Sequence, residues 1–143
     1  MDINACRIHR LVADVALLAE RQVLLVRYHD TTRYDHQEGW FLPDDYLNPF
    51  EHPDDAAPRI LRDQVGFAVP AGRLDHIESF GNGAWHLIFH YRSEIARAQP
   101  PVLVGNTADA RWFPLDALPD RDDVAHHGWA LDVLGSILKR APA

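Results

Sequence analysis

Apolar positions fall first into two short, nearly continuous runs, Leu11 to Leu18 (LVADVALL) and Val23 to Tyr28 (VLLVRY), joined by AERQ. Runs of this length without polar alternation predict a hairpin of two well-buried strands. His29 to Glu38 (HDTTRYDHQE) is polar and reads as a loop, and Trp40 to Leu42 reads as a short strand stopped by Pro43. An acidic loop follows from Asp44 to Glu51. In HPDDAAPRILRDQVG the pattern changes: Ala57, Leu61 and Val65 recur every four residues, one apolar stripe on a helix. Pro53 suits the first helical position, Asp54 and Asp55 complement the helix dipole, and Gly66 can close the C-terminus. Pro58 has no N–H for the Asp54 carbonyl, and an interior helix proline costs about 3 kcal/mol. The helix is therefore either kinked at Pro58 or regular only from Pro58 onward.

Arg73 to Phe80 and Ala84 to Arg92 flank GNG, a turn signal that predicts a second hairpin. On its second strand Trp85, Leu87, Phe89 and Tyr91 share one face, and His86, Ile88 and His90 the other. Ala96 to Asp109 reads as loop, with VLV at 102–104 as a short edge strand, and Ala110 to Phe113 as another strand. Asp122 to Arg140 reads as a second helix that buries Trp129, Val133, Leu134, Ile137 and Leu138. Strands with interspersed helices give an α/β or α+β layered domain, and 143 residues fit one such domain over 1–143.

Charge narrows the partners. The formal net charge is −7, with no basic run, which argues against binding a nucleic-acid polymer. A small phosphate-carrying ligand can still bind through a metal or a few local arginines. Cys6 is the only cysteine, so no internal disulfide forms, which suits a reducing cytoplasm. The N-terminus lacks an apolar signal core, and no apolar run approaches the ~18 residues needed to span a membrane. The expectation is a cytoplasmic protein with no membrane partner.

Glu51, Arg59, Leu61, Asp63, Gly66 and Phe67 stand at a distinctive spacing, preceded by GWFLP and followed much later by RWFPLDALP. Anchored on Gly66, this resembles the Nudix box: Gly, five residues, Glu, seven residues, Arg-Glu-aliphatic-any-Glu-Glu-any-Gly-aliphatic. The resemblance covers about residues 11–140. It implies an α/β/α sandwich around a central mixed β-sheet, a homodimer, and hydrolysis of a nucleoside diphosphate linked to another group. It also implies Mg²⁺ or Mn²⁺, held by glutamates three and four residues apart on one helix face. By the same resemblance Glu51 is the loop glutamate, Arg59 the arginine that orients the acids, and Asp63 the surviving helix acid. These three are the catalytic candidates.

Against that pattern the box glycine is Asp45, the residue before it is Asp44, and two helix glutamates are Ile60 and Gln64. Four box carboxylates become two. A dication about 5 Å from a carboxylate gains several kcal/mol at an effective dielectric near 20. Two lost partners therefore weaken ion binding by orders of magnitude, at about 1.4 kcal/mol per tenfold. Asp44 and Asp45 bring two new carboxylates into the loop, so an altered metal site could use Asp44, Asp45, Glu51 and Asp63. The competing reading makes both aspartates plain turn residues.

The remaining candidates are weaker signals. Arg27, Arg33 and Tyr34 precede the box, on the side where the family draws substrate contacts, and Trp40, Phe80 and Trp85 could stack on a base. Arg27, Arg33 and Trp40 are the ligand-binding candidates. Glu78, Glu94 and Asp109 read as outlying acids for a metal or base, or as surface charges. His86 and His90 share a strand face but stand about 13 Å apart, too far to hold one ion together. His126 and His127 point about 100° apart on a helix, and no serine has a nucleophile elbow. The expected function is a divergent Nudix-like protein that binds a nucleoside-diphosphate-type ligand, with weak Mg²⁺ or Mn²⁺ binding and weak or absent standard hydrolysis. Two alternatives remain: an active hydrolase with the rebuilt metal site, or a non-catalytic structural or interaction module.

Overall fold

The computed structural model describes residues 9–70 and 72–140, so Cys6 lies outside the described residues. Six strands form one mixed sheet: β1 (His9–Ala19), β2 (Gln22–Tyr28), β3 (Asp44–Tyr46), β4 (Arg73–Asn82), β5 (Ala84–Glu94) and β6 (Thr107–Pro114). The order is β4-β5-β1-β2-β6, with β1 and β5 parallel along their length and β3 paired to β1. One helix covers each face: α1 (Pro53–Val65) and α2 (Ala125–Lys139). Val15, Leu17, Leu24 and Val26 pack with Ala57, Leu61 and Val65 on the α1 side. Ala16, Leu18, Val23 and Leu25 pack with Val133, Leu134 and Ile137 on the α2 side. That alternation makes β1 and β2 apolar on both faces, as their runs predicted.

The first hairpin turns at Glu20 and Arg21, both at positive φ, which matches the right-handed twist of the strands. Beyond Leu18↔Val23 the two strands splay, and the segment after Gly39 enters between them. Trp40 to Leu42 makes only isolated bridges, Val26↔Phe41 and Trp40↔Val124. The strand lies after Pro43, where a loop was expected, because Asp44, Asp45 and Tyr46 pair with Asp14, Ala13 and Val12. This wedge places two aspartates inside the sheet.

α1 runs unbroken from Pro53 through Pro58 to Val65. His52 Nδ1 accepts from the Asp54 N–H, and Gly66, at φ 72, donates to the Arg62 carbonyl. VLV is not a strand. Val102 and Val104 donate their N–H groups to the Val65 and Gln64 carbonyls, satisfying the end of α1. The second helix also starts later than expected: His126, His127 and Gly128 are left-handed, so regular helix begins near Trp129. No helix among the described residues is long and apolar enough to cross a membrane.

Candidate functional site

Three acids surround one guanidinium, that of Arg59 in the middle of α1. Arg59 Nε donates to Glu51 Oε2 at 2.8 Å, and its Nη2 donates to Glu51 Oε1 and the Tyr46 carbonyl, both at 2.9 Å. Its Nη1 lies 3.6 Å from both Asp45 Oδ2 and Asp63 Oδ2. The bonds from Arg59 hold the Glu51 carboxyl below the usual glutamate range. Asp45 is also bound by Arg33 at 2.8 Å. The four residues suggested for a rebuilt metal site thus divide. Glu51, Asp45 and Asp63 converge on a cation the chain already carries, and Asp44 is elsewhere. Among the described residues these acids do not gather into a common ligand set.

Asp44 is buried in the sheet, and its carboxyl is raised well above the aspartate range by burial first, then by Asp14 and Asp45. Burial and those charges favour its neutral, poorly ligating form. Its carbonyl oxygen is crowded with donors: Gln64 Nε2 at 2.8 Å, the Tyr34 hydroxyl at 3.2 Å and the Tyr28 hydroxyl at 3.3 Å. Gln64 Oε1 in turn accepts from the Tyr28 hydroxyl at 2.9 Å. The two tyrosine rings stack 3.9 Å apart, and burial, with the charge of Asp44 adding to it, raises both phenols so that they stay protonated donors. Ile60 is 0% exposed, packed with Ala13 and Ala56. Ile60 and Gln64 therefore do structural work here, one apolar and one as a hydrogen-bonded clasp.

On the other side of β3 a cleft of about 770 Å³ opens between the sheet and the start of α2. Val12 and Ile88 form its floor, Arg10 and Arg33 lie at its mouth, and Tyr34, Phe41, Phe80 and Trp129 line its walls. Arg10 donates to the Tyr46 hydroxyl at 2.9 Å, and the side chain of Arg33 is 59% exposed. His126 lines the wall with its imidazole pushed below its usual range by burial. Asp35, Asp44 and Asp45 line the same cleft, so a ligand that joins a planar ring to an anionic group would meet the aromatic faces and apolar floor with its ring and the two arginines with its charge.

The sequence from 8 to 132 matches the family model of the NUDIX domain. The chain belongs to the Nudix family. A comparison with curated protein sequences finds no match. Among solved structures, the fold is similar to a MutT NUDIX hydrolase from Burkholderia pseudomallei (TM-score 0.73, 20% identity, covering 90% of this chain and 97% of that one). It is equally similar to the NUDIX domain of Shewanella oneidensis NrtR complexed with ADP ribose (TM-score 0.73, 17% identity, 98% and 93% covered). A NUDIX hydrolase from Nitrosomonas europaea matches at TM-score 0.72 and 16% identity, with 91% and 88% covered. At these identities the shared property is the Nudix α/β/α sandwich.

Within the Nudix fold, the ligand-binding candidates separate. Arg33 reaches the cleft, whereas Arg27 and Trp40 do not. Trp40 is 4% exposed in the α2-side core, with the Arg27 guanidinium 4.5 Å from its ring centroid and Arg111 also over the ring. Of the two readings open for Trp40, a stacking face or a core residue, the position beside the β3 wedge gives the core. Trp85 is exposed and bonds Ser79, while Glu94 and Asp109 pair with Arg92 and Arg111. Reading by motif alone missed Arg10, Phe41, Trp129 and the buried Asp14. Asp14 carried a signal, since it is the one charge inside LVADVALL.

Proposed function

We propose that this Nudix protein binds a nucleoside-diphosphate-type ligand in the cleft beside β3, with little or no metal-dependent hydrolysis. The observation that carries this reading is the Asp44 carbonyl. It sits where the family brings backbone close to its ion, yet it already accepts from Gln64 Nε2 at 2.8 Å and faces two tyrosine hydroxyls. A divalent ion there would have to displace the amide of Gln64 and would find no carboxylate at Ile60. Hard cations need several oxygen ligands with negative charge. The donor set does not fit Mg²⁺ or Mn²⁺.

Binding can outlive chemistry because the cleft reaches Asp44 and Asp45 but not Glu51, Arg59, Ile60, Asp63 or Gln64. Arg10 and Arg33 supply positive charge, and Phe80 and Trp129 supply ring faces. Fold alone does not decide activity, and these side chains differ from those that hydrolysis needs. ADP-ribose is a suitable probe because the similar NrtR domain was solved with it. Calorimetric titration with ADP-ribose in chelator should give saturable binding, and chromatography after prolonged incubation with Mg²⁺ should recover the probe intact. No binding of ADP-ribose or of nucleoside diphosphates would remove the ligand reading. Rapid cleavage would remove the claim of lost chemistry.

A further inference from the structure

His76, Glu78 and His90 meet on the α2 side of the sheet, each offering a ligand atom within 4.8 Å of the others. Strand register builds the group. His76 on β4 stands directly opposite His90 on β5, and Glu78 lies two residues along β4, on the same face. The two imidazole rings are 4.5 Å apart, and His90 Nε2 lies 2.5 Å from Glu78 Oε1.

A second layer of carboxylates fixes both rings. His90 Nδ1 meets Asp14 Oδ1 at 2.7 Å, with both side chains fully buried. His76 Nδ1 meets Asp75 Oδ2 at 2.5 Å, and Arg140 holds Asp75 from outside at 2.9 Å. Asp75 reaches this position because β4 bulges between Leu74 and His76, bringing neighbouring residues toward one face. A carboxylate on Nδ1 assigns Nε2 as the ligand atom and raises its basicity, the usual support of a metal-binding histidine, and on His90 an entering ion would replace the contact of Nε2 with Glu78. The second oxygen of Asp14 has no partner. Three carboxylates thus surround two imidazoles, with Arg140 the one permanent cation among these contacts.

We propose that His76, Glu78 and His90 bind one divalent transition-metal ion of the zinc class, with Asp14 and Asp75 orienting the imidazoles. Two nitrogens and one carboxylate suit Zn²⁺, Co²⁺ or Ni²⁺ rather than Mg²⁺, which takes oxygen ligands. Tetrahedral bonds of about 2.0–2.1 Å place ligand atoms roughly 3.3 Å apart, so small side-chain shifts close the site. Three protein ligands leave a fourth position for water or a ligand atom. Glu78, whose side chain is 34% exposed, gives the ion its approach from solvent. These residues are separate from Glu51, Arg59 and Asp63, so the ion site stands or falls independently of the diphosphate reading.

Calorimetric titration of the metal-free protein with ZnCl₂ tests it, with CoCl₂ followed by visible absorbance. The expected result is one tight equivalent of Zn²⁺ and the intense visible bands of four-coordinate Co²⁺, both insensitive to excess Mg²⁺. His76→Ala and Glu78→Ala should each weaken binding by about tenfold or more, and Asp75→Asn by roughly 10–100-fold. His76 and Glu78 are only half-buried, and Glu78→Gln keeps its shape, so at least one ligand variant retains the fold, checked by circular dichroism. Absence of Zn²⁺ binding, or Zn²⁺ binding unchanged in Glu78→Gln and His76→Ala, would overturn the proposal.

Discussion

Gln64→Glu changes one donor into an acceptor and leaves the side-chain shape intact. Gln64 donates to the Asp44 carbonyl at 2.8 Å and accepts from Tyr28 at 2.9 Å. The carbonyl keeps the Tyr34 hydroxyl as a donor at 3.2 Å, so it is not orphaned. The main cost is a carboxylate buried beside Asp44, whose own carboxyl is already raised by burial, Asp14 and Asp45. That costs about 1–3 kcal/mol, and at ~2–4 °C per kcal/mol it lowers the Tm by about 2–12 °C at pH 8. The introduced carboxyl has a folded pKa raised above its unfolded value near 4.3. Protonated, it can donate to the Asp44 carbonyl as the amide did. The penalty is therefore absent below the unfolded pKa and grows as pH rises toward the folded one, reaching its full size above it. Melting of both proteins at about pH 4 and pH 8 measures the difference. An equal Tm deficit at the two pH values, or none at pH 8, would refute the clasp.

Three further outcomes are expected. Ile60→Glu combined with Gln64→Glu should melt well below the unmodified protein in chelator, because Ile60 is 0% exposed, yet should bind Mn²⁺ more tightly by calorimetry. Glu51→Gln should cost about 1.5–3 kcal/mol at pH 7 in denaturant unfolding, through loss of charge-assisted bonds to Arg59. The folded pKa of Glu51 is depressed, so its contribution is present above the unfolded value near 4.3 and is lost as pH falls through the folded value. The deficit should shrink toward pH 3. Arg33→Ala should weaken ADP-ribose binding about tenfold while moving stability by about 1 kcal/mol or less, since its pair with Asp45 is largely exposed.

Local periodicity made much of the fold legible. The aliphatic runs, the Ala57–Leu61–Val65 stripe and the GNG turn each depend on neighbours in sequence, and each lies where its pattern put it. Pro58 read as an obstacle, but packing of α1 against the sheet outweighs one missing hydrogen bond. The β3 strand was hidden because its partner is β1, some thirty residues earlier, and Pro43 looked like a stop. The start of α2 was hidden because His126 and His127 adopt a backbone that only Gly128 hinted at. In the site, the losses at Ile60 and Gln64 were visible as residues, but the bonds that now employ Gln64 needed coordinates. The histidine group was countable. From the GNG turn, pairing Asn82 with Ala84 sets His76 against His90, and the bulge comes only beyond that pair. Reading His86 with His90 along one strand missed the neighbour across the ladder.

Calorimetric titration of the unmodified protein with Mg²⁺ shows whether the box still holds an ion, because Mg²⁺ seeks the oxygen-rich position where Gln64 now clasps Asp44. The expected result is binding no tighter than millimolar, unchanged by Asp63→Asn and accompanied by background hydrolysis of ADP-ribose. Micromolar Mg²⁺ binding with rapid diphosphate cleavage, both lost in Asp63→Asn, would contradict the account and point to a metal site rebuilt from Asp44, Asp45, Glu51 and Asp63.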